Sequence, residues 1–389
     1  MSIGKNKFEC MLLSVVIFIS VISQIEPIIG TMRPIVFMLW GIVFVSFGVM
    51  NFSEIKLRGF SLFFICLYVF YLAYCVFRSF YDPIYLKSNF LTVLISPLLI
   101  TVIGDFYRPA ISYKDIRRLM IVFVLSALVY AMYVQITYFP SLSAWIGNLE
   151  YAFPSKNSAA QIWGSAVIMI MALLRFKNKY MQVGFYAIGA YLIFLCFISQ
   201  CRTAILGMFL AYGWYMFKNK TNRTYLILFT ALLLIFAVIN WDSISDYLYK
   251  ALFLGAQDDL DTNKLSSGRL DYYREAIEQF AAVPLLGVGS YYVDNHYLCV
   301  LTESGLFGFL LVESIWVARI ILNLRYHGAD NIRLFLVAIT LFYFVESLFE
   351  AFPPFGPGTC AMAFWLLSNI LQKLCGNEVD DNHENSFYH

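Results

Sequence analysis

Two arginines and a short polar cluster carry most of the chemistry that this sequence offers. In "FLCFISQCRTAILGMFLAYGWY", Arg202 interrupts two apolar runs and falls at or just below the outer edge of a membrane. A charge at membrane depth costs roughly 2.5 to 3.5 kcal/mol on insertion scales, so it is read as functional unless it snorkels to the headgroups. In "SSGRLDYYREAIEQFAAVPLLGVG", Arg269 falls in the first turn of an amphipathic helix. Unpaired N–H groups and the helix dipole favour an anion there, and an arginine beside them makes a phosphate or pyrophosphate site. The plainer alternative is an ion pair with Asp271 or a loop acid.

The cluster is "VDNHYLCVLTESGLFGFLLVES", where Asp294, Asn295 and His296 run straight into an apolar helix that contains Glu303 in its first turns. His296 is the one histidine expected on the external side, because His327 falls in a cytoplasmic loop and His383 and His389 in the tail. It is a candidate base or a hydrogen-bonding loop residue. Further acids, Glu313 and the i, i+4 pair Glu346 and Glu350, lie in apolar surroundings. They would balance the arginines electrostatically or form a proton pathway.

The elements that position these groups are membrane helices. The 389 residues are 60% hydrophobic and 13% charged, with a mean hydropathy of +0.71. A soluble domain has nowhere to hide that much apolar surface. Apolar runs of about 17 to 22 residues, each sufficient for about 30 Å of hydrocarbon, recur about twelve times. They fall near 8–25, 34–51, 60–77, 88–104, 119–138, 158–174, 181–200, 203–217, 224–241, 298–318, 334–350 and 358–374. The fold class is therefore an all-α polytopic membrane protein, with residues 1–375 as one transmembrane domain.

About two thirds of the 27 Lys and Arg fall on one side when the spans alternate, and that side is cytoplasmic by the positive-inside rule. Both termini are then cytoplasmic, and the first span, lacking a cleavage site, is an uncleaved anchor. The loop at 242–297 is long and external and holds the amphipathic helix. Ser266 or Ser267 would cap that helix, Leu270, Tyr273, Ile277 and Phe280 line its apolar side, and Pro284 and Gly287 end it. Such a helix lies on the membrane surface. Arg274 and Glu278 are spaced as a surface pair. Residues 139–157 form a second external loop, and 376–389 a polar cytoplasmic tail.

A net charge of +2 without a basic patch argues against nucleic acid. The eight cysteines show no CxxC spacing, so neither a disulfide framework nor a zinc site is implied. Asp258, Asp259 and Asp261 do not make a calcium loop, since Lys264 stands where its glycine belongs and Leu270 where its glutamate belongs. No metal or other cofactor is called for.

Four stretches resemble the superfamily of Wzy-type O-antigen polymerases and O-antigen ligases. They are "FPSKNSAA" with Asn157, "SQCRTAILG" with Arg202, "SGRLDYYREAIEQFAAVPLLGVGS" with Arg269, and "DNHYLCVLTESGLFG" with Glu303, Gly305 and Gly308. They cover about the last 240 residues, while the N-terminal part is similar in hydropathy alone. The resemblance implies a bacterial inner-membrane glycosyltransferase of GT-C type, metal-independent, acting on undecaprenyl-diphosphate-linked glycans. By that likeness Arg202 and Arg269 hold the lipid diphosphate, and the loop at 242–297 is periplasmic.

Ligases carry a His-Asn pair where this chain has Asp294-Asn295. The resemblance therefore leans to a polymerase that joins lipid-linked repeat units, with Asp294 as base and His296 as second choice. Asn157, Asn295, Glu303, Tyr291, Tyr292 and Tyr297 are candidate substrate contacts; the tyrosines serve equally as interfacial belt residues. The expected partners are the undecaprenyl-diphosphate-linked oligosaccharide, membrane lipids and a chain-length regulator. Two other readings stay open, a ligase that transfers glycan to lipid A-core and a transporter of lipid-linked oligosaccharide.

Overall fold

The computed structural model describes residues 2–54, 56–107, 113–139, 155–218 and 269–376. The expected span at 224–241, the aspartates at 258, 259 and 261, Ser266, Ser267 and the tail from 377 lie outside them. So do residues 140–154 of the loop expected at 139–157.

No strand occurs among the described residues. The chain runs α1 (Ser2–Ile22), α2 (Glu26–Met50), α3 (Gly59–Ser79), α4 (Asn89–Val93), α5 (Ile95–Phe106), α6 (Tyr113–Tyr138) and α7 (Lys156–Ala172). It continues through α8 (Lys179–Ile198), α9 (Arg202–Lys218), α10 (Arg269–Ala282), α11 (His296–Leu324), α12 (Asp330–Phe349) and α13 (Met362–Gly376). Each expected span within the described residues falls on a helix, save that the one at 88–104 is divided between α4 and α5. Among the described residues, six helices are long and apolar enough to cross a membrane, or seven if the bent pair Pro83–Val93 and Ile95–Phe106 is one span.

The outer surface of the bundle is apolar: Val45, Val49, Phe70, Ile136 and Phe209 are all well exposed. Polar side chains are drawn inward, as expected where lipid replaces water as the surrounding solvent. Small residues let helices approach closely. The Phe342 ring of α12 fills a notch between Gly164 of α7 and Gly207 of α9, where a Cβ would come within 2.3 Å and 2.8 Å of it. That notch locks together three helices whose ends carry Asn157, Arg202 and Glu350. Away from these ends, Asp105 accepts from the Arg58 Nε at 2.9 Å and the Asn369 Nδ2 at 2.8 Å.

The helix α11 is broken at Gly305, whose φ of 63° and ψ of −173° are not helical. The break separates the Thr302 carbonyl from its ordinary partner, the Leu306 N–H. Both are satisfied by the segment that follows α10. The Val288 N–H donates to the Thr302 carbonyl at 2.9 Å, the Gly289 N–H to the Glu303 carbonyl at 3.1 Å, and the Leu306 N–H to the Pro284 carbonyl at 2.9 Å. Arg78 and the Tyr74 hydroxyl supply further donors, to the Glu303 and Ser304 carbonyls. Non-helical backbone survives in a membrane helix only when it is satisfied in this way. Gly287 and Gly305 face each other so closely that a Cβ on Gly305 would lie 2.4 Å from the Leu285 carbonyl oxygen.

The break gives Glu303 a structural place. Its carboxylate is fully buried and accepts from the Ser88 hydroxyl at 2.5 Å and the Asn89 Nδ2 at 2.8 Å, with the Phe90 and Tyr291 N–H groups at 3.4 Å. Four donors from two segments leave it no direction in which to meet a substrate.

Candidate functional site

The helix α10 carries Arg269 at its first position, as its spacing predicts. Ala276 is fully buried and its carbonyl accepts from the Thr302 hydroxyl at 3.1 Å, which fixes α10 against α11. Leu270 and Ile277 stay 44% and 54% exposed, so part of the apolar stripe is uncovered. Arg274 lies 3.9 Å from Asp271 in water, one turn back, where the spacing had suggested Glu278.

Arg269 itself turns inward. One nitrogen, Nη2, lies 3.2 Å from Glu350 Oε1 and 3.3 Å from Asp294 Oδ2. Glu350 caps the end of α12, and its Oε1 also accepts from the Asn157 Nδ2 at 2.8 Å. The Tyr292 hydroxyl donates to Asp294 Oδ1 at 2.8 Å, and the Tyr273 hydroxyl donates to the Asp294 carbonyl at 2.6 Å. Asn157, Arg269, Tyr292, Asp294 and Glu350 therefore form one cluster.

Two cavities flank it. The first, of about 390 Å³, is polar and is lined by Lys156, Asn157, Gln161, Tyr292, Glu346 and Glu350 among others. The second, of about 250 Å³, is lined by Arg202, Thr203, Leu206, Arg269, Leu270, Tyr273 and Phe349. Two guanidinium groups with apolar neighbours suit a lipid diphosphate; amides, acids and an aromatic ring suit a hydroxylated ligand.

The charges interlock. Burial works against the Arg269 charge, but Glu350 and then Asp294 outweigh it and hold the guanidinium above its ordinary pKa. Burial pushes the Glu350 carboxyl up to about 7, against the pull of Arg269 and with a further push from Asp294. A carboxyl poised near neutrality is suited to proton transfer.

Other expected site residues are placed elsewhere. His296 is fully buried, its Nδ1 3.0 Å from the Ala351 carbonyl and its Nε2 3.0 Å from Glu313 Oε1 without hydrogen-bond alignment, among Phe90, Tyr297 and Phe355. It reaches neither cavity. Asn295 caps α11, accepting from the Leu298 N–H at 2.9 Å and donating to the Leu348 carbonyl at 2.8 Å. Tyr291 meets Asn89 and Glu303 through its backbone. The Tyr297 hydroxyl lies between Ser347 and Trp316. Glu350 is the site residue whose role the sequence shows least plainly, its signal being a charge at the end of an apolar helix, four residues after Glu346.

Residues 187–312 match the family described as O-Antigen ligase. That segment, about a third of the chain, is similar to the O-antigen ligase family. That family covers ligases and polymerases, which are glycosyltransferase-like enzymes, and its likeness agrees with the apolar helices of this chain. The matched residues contain Arg202, Arg269, Asp294 and Gly305; Asn157 and Glu350 lie outside them. A comparison with curated proteins found no match.

Proposed function

We propose that this protein is a surface-polysaccharide polymerase of the bacterial inner membrane, working on undecaprenyl-diphosphate-linked repeat units. The observation that carries the reading is Arg269, which lines the cationic, apolar cavity and also holds the two carboxylates beside the polar one. The donor's diphosphate binds to Arg202 and Arg269, and the acceptor's hydroxyl enters from the polar side.

In the reaction the acceptor oxygen bonds to the anomeric carbon of the donor glycan while the carbon–oxygen bond to the diphosphate breaks. The diphosphate leaves with the electron pair, and the two arginines stabilise its charge, which in such sites is worth several kcal/mol. The hydroxyl proton passes to a carboxylate. Glu350 is the better placed of the two, because it lines the polar cavity and its pKa is about 7. Asp294, the base suggested by sequence, then anchors Arg269 and orients Tyr292. The growing glycan is thereby moved onto the new unit, so the chain extends at its reducing end.

The ligase reading is disfavoured by Asp294 standing in the ligase histidine's place while His296 faces Glu313 away from the cluster. Substituting Arg202→Ala or Arg269→Ala should leave the protein in the membrane while cells display core lipid capped by a single repeat unit. Normal long-chain ladders in both variants would refute the proposal. Accumulation of long lipid-linked polymer that never reaches the core would identify a ligase, and purified protein that moves lipid-linked units without forming oligomers would identify a transporter.

A further inference from the structure

We infer that the polar cavity is a glycan subsite in which Gln161 and Glu346 bind adjacent sugar hydroxyls of the acceptor. This rests on the reading that chemistry occurs at Glu350, and it adds residues outside the segment that matches the ligase family.

Two buried side chains each keep a polar atom without an aligned partner. Gln161 of α7 and Glu346 of α12 are 1% and 2% exposed and both line the cavity. Among the described residues, neither the Glu346 Oε1 nor the Gln161 Nε2 makes an aligned hydrogen bond; the Tyr343 hydroxyl is a polar neighbour of the Gln161 side chain but leaves its Nε2 unaligned. An unsatisfied buried polar atom costs about 1 to 3 kcal/mol, so a pair of them in one cavity wall points to a ligand that supplies the missing bonds.

The chemistry of the pair selects that ligand. An amide N–H must donate and a carboxyl oxygen must accept, and a hydroxyl does both. Two adjacent hydroxyls of a pyranose would satisfy the amide and the acid together. The third wall is aromatic: Tyr292 and Phe352 both line the cavity, with ring centroids 5.8 Å apart. An amphipathic sugar, with polar edges and an apolar face, matches polar groups on one side and rings on another. Glu350 lies one helical turn from Glu346 and lines the same cavity, so a sugar held there presents a neighbouring hydroxyl to it.

The test uses full-length protein in lipid nanodiscs and two separate probes. One is the repeat-unit oligosaccharide, released from its lipid and phosphate by mild acid; the other is undecaprenyl diphosphate. Glu346→Ala and Gln161→Ala should each weaken oligosaccharide binding about tenfold, the loss of one hydrogen bond to a charged or buried partner. Glu346→Gln, which preserves volume, should weaken it less, and all three should bind undecaprenyl diphosphate within about twofold of the parent protein. Arg269→Ala should show the reverse pattern. The inference fails if the parent protein shows no saturable oligosaccharide binding, if the Glu346 and Gln161 variants bind it as the parent does, or if both ligands weaken together. An Arg269→Ala variant that keeps undecaprenyl diphosphate affinity would instead refute the donor site, leaving the glycan subsite standing.

Discussion

Glu303 and Glu350 are both buried carboxylates beside a helix boundary of one bundle, and they serve opposite ends. Glu303 is met by four neutral donors; it closes the gap between the broken helix α11 and the segment at 88–90. Glu350 is met by one amide and one guanidinium, and its remaining surface faces a cavity of about 390 Å³. A fully satisfied buried acid holds structure together, whereas one that shares a single arginine with a second acid is left with reactivity to spend.

The comparison is most directly broken at Glu350. Glu350→Gln should lower glycan transfer by about 10² to 10⁴, the usual contribution of a positioned base, with little change in the thermal unfolding midpoint. A variant with normal oligomer formation in vitro would remove Glu350 from the chemistry. Glu303→Ala should behave conversely. Several buried donors lose their acceptor at once, so stability should fall by about 3 kcal/mol and the yield of folded protein should drop, with residual activity proportional to that yield. Size-exclusion profiles and activity per folded molecule separate the two effects.

A smaller effect follows from titration. Glu350 has a folded pKa of about 7 against an ordinary value of 4.5, so the stability linked to its proton is full below about 4.5 and is lost as pH rises through about 7. A base must be deprotonated, so activity should climb through the same interval. Parent protein should therefore become more active and less heat-stable between pH 5 and 8, while Glu350→Gln shows neither trend. Equal pH profiles would place the titrating group elsewhere. Smallest of all, Tyr292→Phe removes one hydroxyl from Asp294 and should lower transfer by about fivefold, consistent with one exposed hydrogen bond. A larger loss would mean that Tyr292 also touches substrate through its hydroxyl.

Much of this architecture is legible in the sequence because membrane helices are written locally, as apolar runs broken by turns. Arg269 at the head of an amphipathic helix is likewise local, and the structure places it there. Its partner is not local: Glu350 lies 81 positions away, and Asn157 lies 193 positions from that same carboxylate. Glu346 and Glu350 could be seen as acids able to balance an arginine, but periodicity alone does not say which arginine. His296 shows the other limit. It stands two residues after Asp294, yet the intervening Asn295 caps α11, so the helix begins at His296 and carries its ring to a different face. Glu303 is drawn to a donor 215 positions away, which no reading of its neighbours reveals.

The stitched break at Gly305 also sets the timescale on which Arg269 moves. Three main-chain bonds join the segment after α10 to both halves of α11, so the arginine's helix is anchored to a membrane span through backbone rather than through exchangeable side chains. Opening that joint exposes unpaired amides in an apolar environment, which makes it a slow, subglobal event. Amide protons at Val288, Gly289 and Leu306 should accordingly be among the slowest to exchange with deuterium in this part of the chain, and on the proposed function a released diphosphate would leave an arginine whose helix stays in place.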